Sequence, residues 1–149
     1  MNLLFGLPMM ALCLLLQSLL LAVAIYYYSR HEYLVNSRSF AASLIVINGV
    51  MLLLVVGNMA QIAIWAMLFT LLGEFHGFDD AFYHSAVNFA TLGYGDIVMS
   101  ERHRLLGPLE AVNGVLMIGV STAALTASFQ DAIKKTIHAR NGGDHETRE

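Results

Sequence analysis

Hydrophobic positions in this chain gather into three long runs, Pro8 to Tyr28, Ala41 to Leu72 and Pro108 to Ala132, none of which contains a lysine, arginine or histidine. A helix crosses a bilayer with about 20 apolar residues, so each run predicts one transmembrane helix. The middle run is long for a single crossing. Dividing it at Gly57-Asn58 would leave two pieces too short to span, with no polar turn between them, so one tilted helix is predicted. Between the second and third runs the pattern shortens. Asp79 to Ala90 carries Phe82, Tyr83, Ala86, Val87 and Phe89 on a helix too short to cross, with Asp79 or Asp80 as its cap. The next six residues are Thr91-Leu92-Gly93-Tyr94-Gly95-Asp96. A half-length helix followed by glycine-interrupted backbone at membrane depth is tolerated only where it is buried in protein or lines a wet cavity. This segment is therefore predicted to be a re-entrant loop, its helix running inward from the outer face with the negative end of its dipole near Ala90.

Composition places the chain in a membrane. Of its 149 residues 57% are hydrophobic and 13% charged, with a mean hydropathy of +0.62, too apolar for a soluble domain of that length. Arg30 and Arg38 flank the first loop, and Lys134, Lys135, Arg140 and Arg148 follow the third run, against Arg102 and Arg104 on the other side. The positive-inside rule then puts the first loop and the C-terminal tail in the cytoplasm and the N-terminus outside. The first run lacks a basic flank and a small-residue cleavage pattern, so it is read as a retained helix. Tyr26, Tyr27 and Tyr28 fall at the inner headgroup level and are expected to anchor there, helix packing being the alternative. Cys13, the single cysteine, excludes an intrachain disulfide and is expected to be a small buried hydrophobe.

Thr-x-Gly-Tyr-Gly-Asp, placed after a short aromatic helix and before an apolar helix, resembles the selectivity filter of the pore-loop potassium channel family, whose Thr-Val-Gly-Tyr-Gly loop is the standard example of such a filter. The likeness runs from Ala41 to Ala132 and is greatest to the small bacterial channels with two helices per pore, here with one extra N-terminal helix. It implies an all-α membrane protein with three transmembrane helices and a tetrameric pore. The expected organisation is an N-terminal helix and cytoplasmic loop (1–40), a pore domain (41–132) and a flexible cytoplasmic tail (133–149). Within the pore domain the outer helix is 41–72, the pore helix 79–90, the filter 91–96 and the inner helix 108–132. Because the sequence contains the filter once, a homotetramer is implied. Rings of backbone carbonyls from Thr91, Leu92, Gly93 and Tyr94, with the Thr91 hydroxyl, would replace the hydration shell of a potassium ion. Gly93 and Gly95 would adopt the positive φ this needs at little cost. Asp96 would close the outer mouth, and the Tyr94 hydroxyl could bond to the pore helix.

Departures from the family pattern bear on the same positions. Leu92 stands where valine is usual, Ala90 where a threonine is common, and Val87 where some members carry a glutamate that pairs with the filter aspartate. Asp96 therefore needs another partner or water. Tyr83 and His84 occupy the places of supporting tryptophans and could bond to Tyr94 or Asp96. His84 is read as a filter-supporting donor, with a titratable switch as the alternative.

On the inner helix Gly119, Ala123, Thr126 or Ala127, and Gln130 recur at helical spacing as a small, partly polar stripe. Such a stripe lines a cavity or lets helices pack closely; a mixture is expected, with Gly119 resembling a hinge glycine. Outer acids, Glu74, Asp79, Asp80, Asp96, Glu101 and Glu110, set against Arg102 and Arg104, leave a formal balance of −4 that would concentrate cations. Glu110 is expected to reach water at the outer end of its helix. His76, Asp79, Asp80 and His84 match no closed metal-ligand spacing. No helix has the repeated arginines of a voltage sensor, and no nucleophile and base form a recognisable pair, so an enzyme is not expected.

The expected function is passive, potassium-selective conduction in the bacterial inner membrane, with lipid and the permeant ion as partners, no cofactor and no nucleic acid. A weakly selective cation channel and a non-conducting accessory protein are the alternatives.

Overall fold

The computed structural model describes residues 2–35 and 40–146. Arg38 and Arg148, used above for orientation, lie outside them. The described residues form an all-helical chain: α1 (Asn2–Arg30), α2 (Glu32–Val35), α3 (Phe40–Leu71), α4 (Phe78–Phe89) and α5 (Leu106–Glu146). Three of these carry stretches long and apolar enough to cross a membrane, Asn2–Arg30, Ala41–Leu71 and Leu106–Ile137. The protein is an integral membrane protein.

The helices run past the apolar stretches that predict them: α1 begins at Asn2, six residues before Pro8, and α5 begins at Leu106, two residues before Pro108. The third long helix was expected to stop at Ala132 before a flexible tail, yet α5 continues to Glu146. Asp131 and Lys135, four residues apart, form an ion pair at 2.8 Å along this continuation, the spacing that supports a helix past its apolar stretch. Asp79 and Asp80 do not cap α4. Gly77 is the N-cap and makes no side-chain cap bond, while both aspartates fall in the first turn, where they complement the helix dipole.

Contacts divide the chain into two units, Met1–Ser18 with Val56–Val120, and Leu19–Val55 with Ser121–Glu149. The first is built around Trp65, Ala66 and Phe69 of α3, packed with Cys13 of α1, Ala81 of α4 and Leu106 of α5. The Trp65 and Phe69 rings lie 5.9 Å apart, and Cys13 is fully buried, as expected of a small hydrophobe. Gln61 Nε2 donates to Gln17 Oε1 at 2.8 Å, a buried amide pair that fastens α1 to α3. In hydrocarbon such a pair replaces water that neither amide can reach.

The second unit has small cores of Val35, Val46, Ile47 and Ala132, and of Ala24, Val50 and Leu54. Tyr26 is exposed, as an interfacial anchor would be, but Tyr27 and Tyr28 pack inward between helices. The Tyr28 hydroxyl donates to Asp131 at 2.9 Å. Lys135 Nζ reaches Glu32 at 2.8 Å, joining α2 to α5.

Candidate functional site

α4 ends in a way that shapes the residues after it. Its closing turn carries two crossed bonds, Thr91 N to the Asn88 carbonyl at 2.8 Å and Leu92 N to the Val87 carbonyl at 2.9 Å, the pair that defines a Schellman cap. That cap needs a left-handed residue at its turning position. At the end of α3 the same pair of bonds, from Gly73 to Thr70 at 3.0 Å and from Glu74 to Phe69 at 3.1 Å, turns on Gly73 with φ +72°. At the end of α4 it turns on Thr91, with φ 60°. A β-branched residue in this region is a conformational outlier, and such strain costs about 1–3 kcal/mol and concentrates at functional sites.

The reversal then repeats at every second residue. Gly93 has φ 59° and Gly95 φ 74°, whereas Leu92 and Tyr94 stay on the negative side. A Cβ added at either glycine would meet nothing within 4 Å, so backbone conformation, not space, selects glycine here. Positive φ at the two glycines is legible in the sequence, whereas at Thr91 it is not, because nothing in a threonine signals it. All six residues from Thr91 to Asp96 are exposed in the single chain. Leu92 and Tyr94 show 56% and 66% of their surface, so the Tyr94 ring is not packed back on its own chain.

Three residues of α4 pack behind this loop, Tyr83 and His84 acting through their side chains and Val87 through its backbone carbonyl. The Tyr83 hydroxyl donates to Asp96 Oδ2 at 2.7 Å, and the Asp96 carboxylate also accepts from the Ile97 amide at 3.0 Å. The Tyr83 bond, chiefly, holds the Asp96 carboxyl below its ordinary range, and the same bond raises the Tyr83 phenol. His84 turns the other way. Its Nδ1 lies 2.9 Å from the Ile97 carbonyl, and its Nε2 lies 2.8 Å from Asn88 Nδ2. A carbonyl only accepts and an amide NH2 only donates, so the ring fits as the neutral Nδ1–H tautomer. Burial pushes the His84 pKa down, in agreement. Val87 is buried and gives its carbonyl to the cap. Phe69 and Phe75 close on the His84 ring at 5.7 and 5.0 Å.

Further out, Glu74 accepts from Ser100 N at 2.6 Å and Ser100 Oγ at 2.7 Å, and meets His103 Nδ1 at 2.5 Å. Burial would raise the Glu74 carboxyl, but the bonds from His103 and Ser100 outweigh it and hold it low. This clasp fixes the segment entering α4 to the segment entering α5.

Glu110 corrects an expectation. It is fully buried instead of reaching water, with a carboxyl oxygen against Ser85 Oγ of α4. Gly119, Ala123, Thr126, Ala127 and Gln130 are each exposed on α5, and a Cβ at Gly119 would meet nothing within 4 Å. Gly114, by contrast, lies against the Phe89 backbone. Among the described residues no group of three or more His, Cys, Asp or Glu side chains could hold a metal ion.

Comparison with curated proteins and with solved structures returned no match. A protein-family model described as "Ion channel" matches residues 57–131, from within α3 through α4 and the glycine loop into α5, and leaves α1 and α2 outside. That span is half of the chain, and the chain belongs to this ion channel family.

Proposed function

We propose that the protein is a potassium-selective channel in which four copies surround one axis and each contributes the loop Thr91 to Asp96. The observation that carries this reading is the alternation of positive φ at Thr91, Gly93 and Gly95, immediately after a half-length helix. Alternating backbone of this kind turns successive carbonyls to one side, the arrangement a desolvated cation needs. In the assembly the carbonyls of Thr91, Leu92, Gly93 and Tyr94 and the Thr91 hydroxyl coordinate potassium. Asp96, held by Tyr83, stands at the outer mouth.

Exposure of Leu92 and Tyr94 supports assembly, because large apolar side chains beside a glycine loop call for cover from another chain. The exposed stripe of Gly119, Ala123, Thr126, Ala127 and Gln130 then faces the water-filled cavity. Orientation follows the basic residues, with Lys134 and Lys135 in the cytoplasm and the N-terminus outside. A weakly selective cation channel is the second reading, favoured by Leu92 and by the methyl of Ala90 in place of a hydroxyl.

Ion flux into dye-loaded proteoliposomes separates these readings. Potassium gradients are expected to drive a signal that sodium gradients do not, and Gly93→Ala is expected to abolish it. Equal signals from both ions establish the weakly selective channel, and no signal from either rejects conduction.

A further inference from the structure

Glu110 sits on the fifth residue of α5, fully buried. The groups facing it are all formally uncharged: Ser85 and Asn88 from α4 and the Cys13 thiol from α1, with α3 represented by the Ile62 carbonyl on the far side of Ser85. Among these only Cys13 is titratable. The other oxygen of Glu110 has no protein partner within hydrogen-bond distance, and the Asn113 amide, one turn further along α5, faces the Cys13 thiol.

Counting protons around Ser85 decides which species of Glu110 fits. A serine hydroxyl has one hydrogen to give. Ser85 Oγ lies 2.8 Å from the Ile62 carbonyl and also against Glu110 Oε1. The carbonyl accepts and never donates, and an ionised carboxylate does the same, so with Glu110 ionised two acceptors compete for one hydrogen. One close oxygen pair would then have no hydrogen between it, at a buried site faced by formally uncharged groups. If Glu110 carries a proton, both contacts become hydrogen bonds.

We propose that Glu110 is a positioning residue that stores a proton within the membrane body: as the neutral acid it donates to Ser85 Oγ, Ser85 donates to the Ile62 carbonyl, and this relay clamps α5, α4 and α3 together behind the loop that starts at Thr91. The relay explains a serine in the interior of α4, facing away from the loop. It gives the pore helix a fixed height relative to both long helices, on which the register of the loop depends. Loss of the proton to bulk water leaves a carboxylate that draws the one Ser85 hydrogen to itself, and the clamp opens on the α3 side, at the Ile62 carbonyl. The link from clamp to conduction rests on the channel reading above, whereas the stored proton does not.

Infrared spectra of the full-length protein in liposomes at neutral pH test the proton directly. A protonated-acid C=O band is expected in the wild type, absent in Glu110→Gln and displaced in Ser85→Ala, which keeps the acid but removes its acceptor. Spectra of wild type and Glu110→Gln that match in this region overturn the proposal, as does a Ser85→Ala band that has not moved. The positioning role is read from potassium current against pH. Wild-type current is expected to fall on the alkaline side, while Glu110→Gln, whose amide still donates to Ser85, keeps its current there. Identical alkaline profiles remove the positioning role. Failure of the channel reading would look different, with no current in any protein and the infrared band intact.

Discussion

Among the glycines of the described residues, Gly114 of α5 is the one whose missing side chain would run straight into backbone. A Cβ built on Gly114 would lie 2.7 Å from the carbonyl carbon of Phe89 and 2.9 Å from its Cα, with the carbonyl oxygen nearer still. Carbon atoms settle about 3.5–4.0 Å apart, so Gly114→Ala forces α5 and the end of α4 apart by roughly 1 Å. Backbone has no rotamer with which to yield. Overpacking of this kind costs about 1–3 kcal/mol. Gly119 on the same helix is the control, because a Cβ there meets nothing within 4 Å and alanine is favoured over glycine in a helix by up to about 1 kcal/mol. Thermal unfolding followed by far-ultraviolet circular dichroism reads both, at about 2–4 °C per kcal/mol for a chain of this size. Gly114→Ala is expected to melt several degrees below wild type and Gly119→Ala at or above it. Since Phe89 precedes the loop by two residues, Gly114→Ala is also expected to impair flux. A Gly114→Ala protein that melts with the wild type would refute the close approach and the packing argument built on it.

Tyr83→Phe removes the hydroxyl that holds the Asp96 carboxyl low, so an NMR titration of aspartate carboxyls is expected to show Asp96 moving up toward about 3.9; an unmoved resonance would assign the shift to another cause. His84 has its folded pKa depressed by burial, so its contribution to stability is complete above the unfolded value of about 6.5 and is lost as pH falls from there toward the folded value. Replacing it by glutamine is expected to flatten the acid side of the stability profile below about pH 6.5, and parallel profiles would contradict this. In the second unit, the Lys135 bonds to Glu32 and Asp131 involve side chains that are 27%, 50% and 43% exposed. A double-mutant cycle of Lys135→Met with Glu32→Gln is therefore expected to give a coupling of only about 0.2–1 kcal/mol, vanishing near 1 M salt, where the screening length is about 3 Å; a coupling that survives high salt would show the pair to be desolvated.

What the sequence made legible was what depends on composition over a long window. Three apolar runs and one half-length helix fall where hydropathy puts them, because burying or exposing a whole helix outweighs any single residue. The glycines of the loop were legible for a local reason, since Gly93 and Gly95 announce positive φ and Asp96 follows them. Thr91 was not, because its left-handed backbone is imposed by the cap of α4 and not by its own preference. Glu110 was misread for the opposite reason. An acid near a helix start beside a polar loop ordinarily reaches water, and only the position of Ser85 on another helix encloses it. Asp96 was known to need a partner, with Tyr83 among the candidates; the 2.7 Å bond names it. The continuation of α5 was hidden by Gly142-Gly143, which weigh against a helix locally while the ion pair of Asp131 with Lys135 supports it just upstream.

The central claim is that the alternating backbone of Thr91, Gly93 and Gly95 replaces the water around potassium better than around sodium. Reconstituted in a planar bilayer with potassium on one side and sodium on the other, the channel is expected to reverse far from zero, at the potential set by potassium. A reversal potential near zero would contradict the account.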